Sequence, residues 1–67
     1  MQMTQISSSN IKSIGWEDGT LRIEFNNGGI YEYLEVPEEE FNSLKNASSV
    51  GSYYHQNIKG NYECNKI

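Results

Sequence analysis

The stretch Ile14-Gly15-Trp16-Glu17-Asp18-Gly19-Thr20-Leu21-Arg22-Ile23-Glu24-Phe25 decides the fold. Apolar and polar residues alternate on both sides of Asp18-Gly19, which is the period-2 pattern of half-buried strands. Asp-Gly is a strong hairpin signal, because both central residues of a type I′ turn require positive φ. With this dipeptide as the loop, Trp16 faces Leu21 across the hairpin, and the apolar side chains of both arms meet on one face.

The second turn, Asn26-Asn27-Gly28-Gly29, leaves two strand registers open. A two-residue loop places Glu32 on the buried face, whereas a three-residue loop, residues 26–28, pairs Ile23 with Tyr31 and Leu21 with Tyr33. An unpaired buried carboxylate is costly, but tyrosines are readily buried when their hydroxyls find partners. We therefore predict the three-residue loop, with Gly28 at positive φ.

The second half of the chain carries helix signals. Pro37 precedes three glutamates, a pattern typical of a helix start, where acidic side chains face the positive end of the helix dipole. Ser49 is the predicted N-cap of a second helix that stops at Gly60. The predicted fold is α+β: a three-stranded antiparallel β-meander (roughly residues 11–17, 20–26 and 30–36) followed by two short helices (near 37–47 and 50–59).

A chain of 67 residues makes a single domain. We predict a flexible leader over residues 1–9, the folded domain over 10–62 and a frayed tail over 63–67. Cys64 is the only cysteine, which fits a reducing compartment, so a cytoplasmic location is expected. The apolar runs are too short to cross a membrane, and residues 1–10 lack the basic and apolar regions of a signal peptide.

The charge is unevenly distributed along the chain, whose net charge is −4. Residues 1–40 carry two basic and eight acidic side chains, whereas residues 41–67 carry three lysines and one glutamate. The whole chain therefore lacks the basic footprint of a typical nucleic-acid binder. Its C-terminal third is weakly basic, and only that part is suited to contact phosphate.

No residue pattern indicates catalysis, so we predict that the protein is not an enzyme and uses no metal or cofactor. A general base needs a nucleophile and an orienting acid nearby, and His55 is the only histidine. His55 and Cys64 make no recognisable metal-ligand set. Consecutive glutamates point about 100° apart on a helix, which favours a solvated helix start over an acidic site.

Tyrosine is the one residue type in excess, with five in the chain. Tyr31 and Tyr33 are either core residues or a binding surface, and we favour the core. Four residues of the basic third form the candidate binding site: Tyr53, His55, Lys59 and Tyr62. Tyrosines there either complete a small core or form a platform on which unpaired bases stack.

Several motifs, taken in order, resemble the KTSC domain family. They are Ser8-Ser9-Asn10-Ile11, Ile14-Gly15-Trp16, Leu21-x-Ile23-x-Phe25, Gly28-Gly29-x-Tyr31-x-Tyr33, Val36-Pro37 and Ser49-x-Gly51-x-Tyr53-Tyr54-x-x-x-Ile58-Lys59-x-x-Tyr62. The family is named for its occurrence at the C-terminus of some lysyl-tRNA synthetases, and it also occurs as a stand-alone small protein in bacteria and their phages. The resemblance covers about residues 6 to 62.

The resemblance implies a small sheet-plus-helices fold, and RNA binding has been suggested for the family from its synthetase context. This chain departs from the family at Tyr54-His55, where Phe-Asn is expected, and at Lys59, where an arginine would grip phosphate with two hydrogen bonds. Two hypotheses follow. One is a weak RNA- or tRNA-binding accessory module, and the other is a protein-interaction module, a homodimer included, that uses a sheet edge or an aromatic patch.

Overall fold

An antiparallel sheet of five strands is the main element of the structure, a computed structural model that describes residues 1–67. The strands lie side by side in sequence order: β1 (Met3–Gln5), β2 (Ile11–Glu17), β3 (Thr20–Phe25), β4 (Ile30–Tyr33) and β5 (Cys64–Lys66). Two helical segments connect β4 to β5: α1 (Glu38–Lys45) and α2 (Val50–Tyr53), which continues as a π-helical turn (Tyr54–Ile58). The predicted α+β class is confirmed.

The predicted number of three strands is wrong, because β1 and β5 extend the meander at its two ends. They lie within residues 1–9 and 63–67, for which the sequence predicted a flexible leader and a frayed tail. Main-chain hydrogen bonds hold both segments: Ile6 N–H donates to the Lys12 carbonyl at 2.9 Å, and Leu34 N–H donates to the Glu63 carbonyl at 2.8 Å. Strands of three residues are too short to show a period-2 pattern.

The first hairpin has the predicted turn and register. Asp18 and Gly19 both have positive φ, at 51° and 87°, as a type I′ turn requires. Trp16 therefore faces Leu21, and Ile14 faces Ile23.

The second hairpin confirms the three-residue loop. Gly28 has a φ of 92°, and Phe25 N–H donates to the Gly29 carbonyl at 2.8 Å across the loop. This register pairs Ile23 with Tyr31 and Leu21 with Tyr33. Glu32 consequently lies on the opposite face of the sheet, where Arg22 Nη2 contacts its carboxylate at 2.6 Å.

The core lies between the sheet and the helices. Nine apolar side chains are buried there: Ile11, Ile14, Leu21, Ile23, Tyr33, Val36, Leu44, Tyr54 and Ile58. Trp16 packs against this cluster and its indole N–H donates to the Val36 carbonyl at 2.8 Å, which fixes the connection between β4 and α1. Phe41 of the first helical segment is half-buried against the same cluster.

Helix α1 starts one residue later than predicted. Pro37 precedes it as the N-cap with an extended backbone (ψ 150°), so the first helical residue is Glu38. The three glutamates lie in the first turn and Lys45 lies in the last, which suits the helix dipole at both ends.

Helix α2 begins at the predicted N-cap and ends in an unpredicted π-helical turn. Ser49 Oγ accepts a hydrogen bond from Ser52 N–H at 3.3 Å. Lys59 N–H donates to the Tyr54 carbonyl at 2.9 Å, one residue further back than in an α-helix. Gly60, with a φ of 82°, follows as the predicted stop. No helix is long and apolar enough to span a membrane.

Candidate functional site

Two open cavities flank the segment from α2 to Gly60. One, here called the aromatic cavity, has a volume of about 470 Å³ and is lined by Phe25, Tyr31, Tyr33, Tyr54, Lys59, Gly60, Tyr62 and Cys64. The other, here called the serine groove, has a volume of about 710 Å³ and is lined by residues 5–10, 45, 47–52, 55 and 56. Neither cavity has an aspartate or glutamate in its lining.

The wall of the aromatic cavity is a set of edge-to-face rings. The Phe25 ring centroid lies 5.7 Å from that of Tyr31 and 5.4 Å from that of Tyr54, with interplanar angles of 80° and 70°. Tyr33 and Tyr54 are related in the same way, at 5.9 Å and 75°. Such contacts favour fixed ring orientations, so the cavity wall is preorganised.

Tyr33 and Tyr54 close the floor of this cavity through their hydroxyls. The two oxygens lie 2.7 Å apart, and only 4% of Tyr33 is exposed. Burial, and then the hydrogen bond to Tyr54, raise the pKa of Tyr33 well above its ordinary value. Tyr33 is therefore a core residue whose ring also lines a cavity, and Tyr31 is half-buried beside it.

Glu40 joins α1 to two tyrosines from later parts of the chain. Tyr53 Oη donates to Glu40 Oε2, and Tyr62 Oη donates to Glu40 Oε1 at 3.1 Å. The hydrogen bond to Glu40 raises the pKa of Tyr53, while burial and then the same carboxylate raise the pKa of Tyr62. Both hydroxyls thus remain protonated donors at neutral pH, and the carboxylate fixes the position of each side chain.

The four residues predicted as a binding site do not form one patch. Lys59 and Tyr62 line the aromatic cavity together. Tyr53 shares Glu40 with Tyr62 but does not line that cavity. His55 lies in the serine groove instead.

Hydroxyl groups dominate the serine groove. Its lining contains six serines, at positions 7, 8, 9, 48, 49 and 52, together with Asn10 and the two basic side chains Lys45 and His55. Gly51 forms part of the wall where it approaches Asn10, and a Cβ there would lie 2.8 Å from Asn10 Oδ1. No group of three or more histidine, cysteine, aspartate or glutamate side chains is placed to hold a metal ion.

The lysines without an acidic partner are associated with the two cavities. Lys12 and Arg22 are paired with Glu24 and Glu32, at 3.8 and 2.6 Å. Lys45, Lys59 and Lys66 make no salt bridge. Lys45 lines the serine groove and Lys59 the aromatic cavity. Lys66 pairs with Tyr31 in the sheet register and so lies on the same face.

Sequence reasoning missed most of the lining of both cavities. Phe25 and Tyr54 were not among the candidate site residues, although both pack on the core and line the aromatic cavity. The serines at 7–9 were part of the predicted leader. Only the second serine cluster carried a signal in the sequence, because it contains the N-cap Ser49 and lies a few residues before the only histidine.

Comparison with known proteins identifies the family. The family model for the KTSC domain matches residues 7–62. The chain belongs to the KTSC domain family. The crystal structure of a KTSC domain protein from Yersinia pestis is 41% identical and superposes with a TM-score of 0.95, covering 98% of this chain and 96% of the other.

Two kinds of relative contain a similar sequence. An uncharacterized protein of Stutzerimonas stutzeri is 34% identical over 61 residues, which are 88% of this KTSC domain and 86% of that protein. A lysine–tRNA ligase of Nostoc sp. is 44% identical over 48 residues, 72% of this chain. The KTSC domain matches only 9% of that ligase's length, so the similarity concerns a small part of the enzyme.

The motifs that carried the resemblance line the two cavities of this KTSC domain. Ser8-Ser9-Asn10 and Gly51 border the serine groove, whereas the Tyr-x-Tyr pair of β4, Lys59 and Tyr62 border the aromatic cavity. These residues therefore have a shared place in the structure although they are scattered along the chain.

Proposed function

We propose that this KTSC domain is a non-catalytic accessory module that binds an unpaired base of RNA in the aromatic cavity. The observation that carries the proposal is the cavity itself: four aromatic side chains of the sheet and the π-helical turn, with Tyr62 and Lys59 at its side and no carboxylate in its lining. Aromatic side chains bind bases of any sequence by stacking, and a nearby lysine provides contact with the phosphate.

The proposal gives each residue of the original candidate site a different role. Tyr62 presents its ring to the base while its hydroxyl stays bonded to Glu40. Tyr53 acts through the same carboxylate as a positioning residue. Lys59 contacts a phosphate, and His55 lies along the exposed side of the helix that leads away from the cavity.

Transfer RNA is the proposed RNA class because of the relatives. The names of the lysine–tRNA ligases that contain a similar sequence indicate that they act on tRNA. The similar region corresponds to about a tenth of their length. Binding would take place in the cytoplasm, where the free thiol of Cys64 at the cavity edge stays reduced.

Binding to RNA should be weak and only slightly dependent on salt. The net charge is −4, and only Lys59 and Lys66 lie at or beside the cavity without an acidic partner. Each phosphate contact on a single strand contributes about −0.7 to the slope of log affinity against log salt, so two contacts give about −1.4. An isolated domain of this kind binds with micromolar affinity at best, and attachment to a larger tRNA-binding protein would raise its effective concentration.

The test is an NMR titration of the ¹⁵N-labelled domain with a single-stranded hexaribonucleotide at two salt concentrations. We expect shifts at Tyr31, Lys59 and Tyr62. The variant Tyr31→Leu keeps an apolar side chain but removes the stacking ring, so affinity should fall by about 5- to 150-fold, which corresponds to 1–3 kcal/mol. Lys59→Gln should weaken binding and reduce the salt slope by about 0.7.

Lys12→Gln is the matched control, because it makes the same change in net charge on a lysine already paired with Glu24. It should leave affinity nearly unchanged. Equal effects of Lys59→Gln and Lys12→Gln would show that only overall charge matters, and the proposal would then be wrong.

The same samples test the alternative, a protein-interaction module or homodimer. The outer edge of β5 has no neighbouring strand, and all three of its residues are exposed. Unpaired edges of this kind can pair with another chain. Concentration-dependent shifts confined to β5, in the absence of RNA, would support that alternative over RNA binding.

A further inference from the structure

The serine groove has the composition of a site for an oxyanion. Its lining contains six serine hydroxyls and two basic side chains but none of the nine acidic residues of the chain. The two smaller cavities are different, since one contains Glu35 and Glu63 and the other Glu17, Asp18 and Glu32. In an acidic protein, the largest groove is therefore one of the places where an anion meets no like charge.

Many donors in the groove have no partner within the protein. The backbone N–H groups of Ser7, Ser8, Ser9, Ser48 and Ser49 make no hydrogen bond to another protein atom. Among the hydroxyls, Ser8 Oγ donates to Asn10 Oδ1 at 3.1 Å and Ser49 Oγ accepts from Ser52 N–H. The remaining serine hydroxyls and N–H groups are available to a ligand rich in acceptor oxygens.

Two basic side chains line the groove, and Lys45 adds a positive charge. Lys45 lines the groove and makes no salt bridge, and its Nζ lies 5.2 Å from the centroid of the Phe41 ring. His55 is exposed and lies in the lining of the same groove. Charge-assisted hydrogen bonds from such groups to phosphate oxygens are stronger than those between neutral groups.

We propose that the serine groove is a second binding site, separate from the aromatic cavity, that takes a phosphate group. A phosphate has several strong acceptor oxygens and, when fully ionised, no donor, which matches a lining that consists mainly of donors. The volume of about 710 Å³ leaves room for the molecule to which that phosphate is attached.

Two ligands can supply the phosphate, an RNA strand or a free phosphate ester, and they differ in whether they also contact the aromatic cavity. Ser52, His55, Gln56 and Lys59 are all exposed, at helical spacings of three, four and seven residues, and they lead from the groove to the aromatic cavity. Seven residues of helix span roughly 10 Å, so one RNA strand is long enough to reach both sites. A free phosphate monoester would occupy the groove alone.

The experiment uses the full chain and three probes: inorganic phosphate, adenosine 5′-monophosphate and a single-stranded hexaribonucleotide, each at constant ionic strength. We expect inorganic phosphate to shift the amides of residues 7–10 and 48–52 and to leave those of Tyr31 and Tyr62 unchanged. Lys45→Gln should weaken phosphate binding by about fivefold or more, since a charged donor is lost.

The matched control is Lys12→Gln, which makes the same change in net charge on a lysine that lies outside the groove and is paired with Glu24. It should leave phosphate binding unchanged. Equal weakening by the two variants, or the same shifts with sodium chloride, would show general charge screening and overturn the proposal.

The RNA probe identifies the source of the phosphate. Shifts in both sites with one common dissociation constant indicate the RNA backbone, whereas groove shifts with the two small phosphates and none with RNA indicate a free phosphate ester. This outcome is independent of the function proposed above. Phosphate can bind the groove when the aromatic cavity binds no base, and the reverse result removes the groove site alone.

Discussion

Tyr33 shows how one residue can serve both the core and a cavity. Its ring belongs to the buried cluster and its hydroxyl meets that of Tyr54 at 2.7 Å, so the polar end of the side chain is satisfied without water. The same ring forms part of the aromatic cavity. The sequence could not decide between core and binding surface for this residue, because burial of a tyrosine depends on a hydroxyl partner that lies 21 residues away.

The raised pKa of Tyr33 predicts loss of stability in alkaline solution. In the unfolded chain a tyrosine ionises near pH 10, whereas Tyr33 in the folded protein stays protonated to higher pH. Above pH 10 the unfolded state therefore binds fewer protons, and the free energy of unfolding falls as the pH rises. At pH 11 this contribution amounts to about 1.4 kcal/mol.

Tyr33→Phe removes this contribution. At pH 8 the variant should be less stable by about 1 kcal/mol, because the bond to Tyr54 is lost. Between pH 8 and pH 11 it should lose less stability than the parent, which urea titrations followed by Trp16 fluorescence would measure. Tyr31→Phe, at a half-buried tyrosine, is the control and should follow the parent. An alkaline decline of equal steepness in Tyr33→Phe and the parent would contradict the assignment.

At the scale of elements, the two hairpins could be predicted because their signals are local. Asp18-Gly19 specifies a type I′ turn by itself, and the second register followed from the choice between a buried Glu32 and a buried Tyr33. The π-helical turn after α2 could not be predicted in this way. Its hydrogen-bond pattern, which includes the bond from Lys59 N–H to the Tyr54 carbonyl, depends on how the end of the helix packs.

The contact between α2 and the loop before β2 rests on the absence of a side chain at Gly51. A Cβ there would lie 2.8 Å from Asn10 Oδ1 and 3.2 Å from Ser8 Oγ, so a methyl group would displace the Asn10 side chain and disturb its hydrogen bond with Ser8. We expect Gly51→Ala to lower the free energy of unfolding by about 1 kcal/mol, because the steric cost is partly offset by the higher helix propensity of alanine. In the background of Asn10→Ala the same substitution should cost less, because the closest atom is gone.

Gly28→Ala is the matched control for this double-mutant cycle. Gly28 needs positive φ but has nothing within 4 Å of a Cβ, so its cost arises from backbone strain alone. That cost should be the same with and without Asn10→Ala. Urea denaturation of the three single and two double variants, with the parent, measures both couplings. A coupling of zero between positions 10 and 51 would mean that the loop does not approach the helix as described.

At the scale of the whole molecule, contacts between residues that are far apart in the sequence could not be predicted. Glu40 of α1, Tyr53 of α2 and Tyr62 of the connection to β5 meet at one carboxylate, and no local spacing indicates that meeting. The charge asymmetry was visible in the sequence, but the sequence did not show which basic side chains have acidic partners. Only the structure reveals that the basic residues of the first half are paired with acids while the three lysines of the second half are not.

Strand β5 is the feature of the whole molecule that is most directly testable. The Ile30 carbonyl accepts a hydrogen bond from Ile67 N–H at 2.8 Å, and Leu34 N–H donates to the Glu63 carbonyl. Alternate residues along β4 and just after it therefore bond to β5 and the residues that flank it. By the antiparallel pattern Glu32 N–H, opposite Asn65, also faces β5, while the amides of Tyr31 and Tyr33 face β3. Residues 64–66 thus form the edge strand next to β4, the strand whose tyrosines line the aromatic cavity.

Removal of residues 64–67 should expose one set of β4 amides and spare the other. We expect Glu32 N–H to exchange with solvent deuterium about tenfold faster or more in the shortened chain, because its acceptor is lost. Tyr33 N–H should keep its protection and serves as the internal control, since a general loss of stability would accelerate both amides alike. The measurement is amide exchange by NMR on the two proteins under identical conditions. Equal exchange of Glu32 N–H in both would mean that the chain beyond Glu63 is frayed in solution.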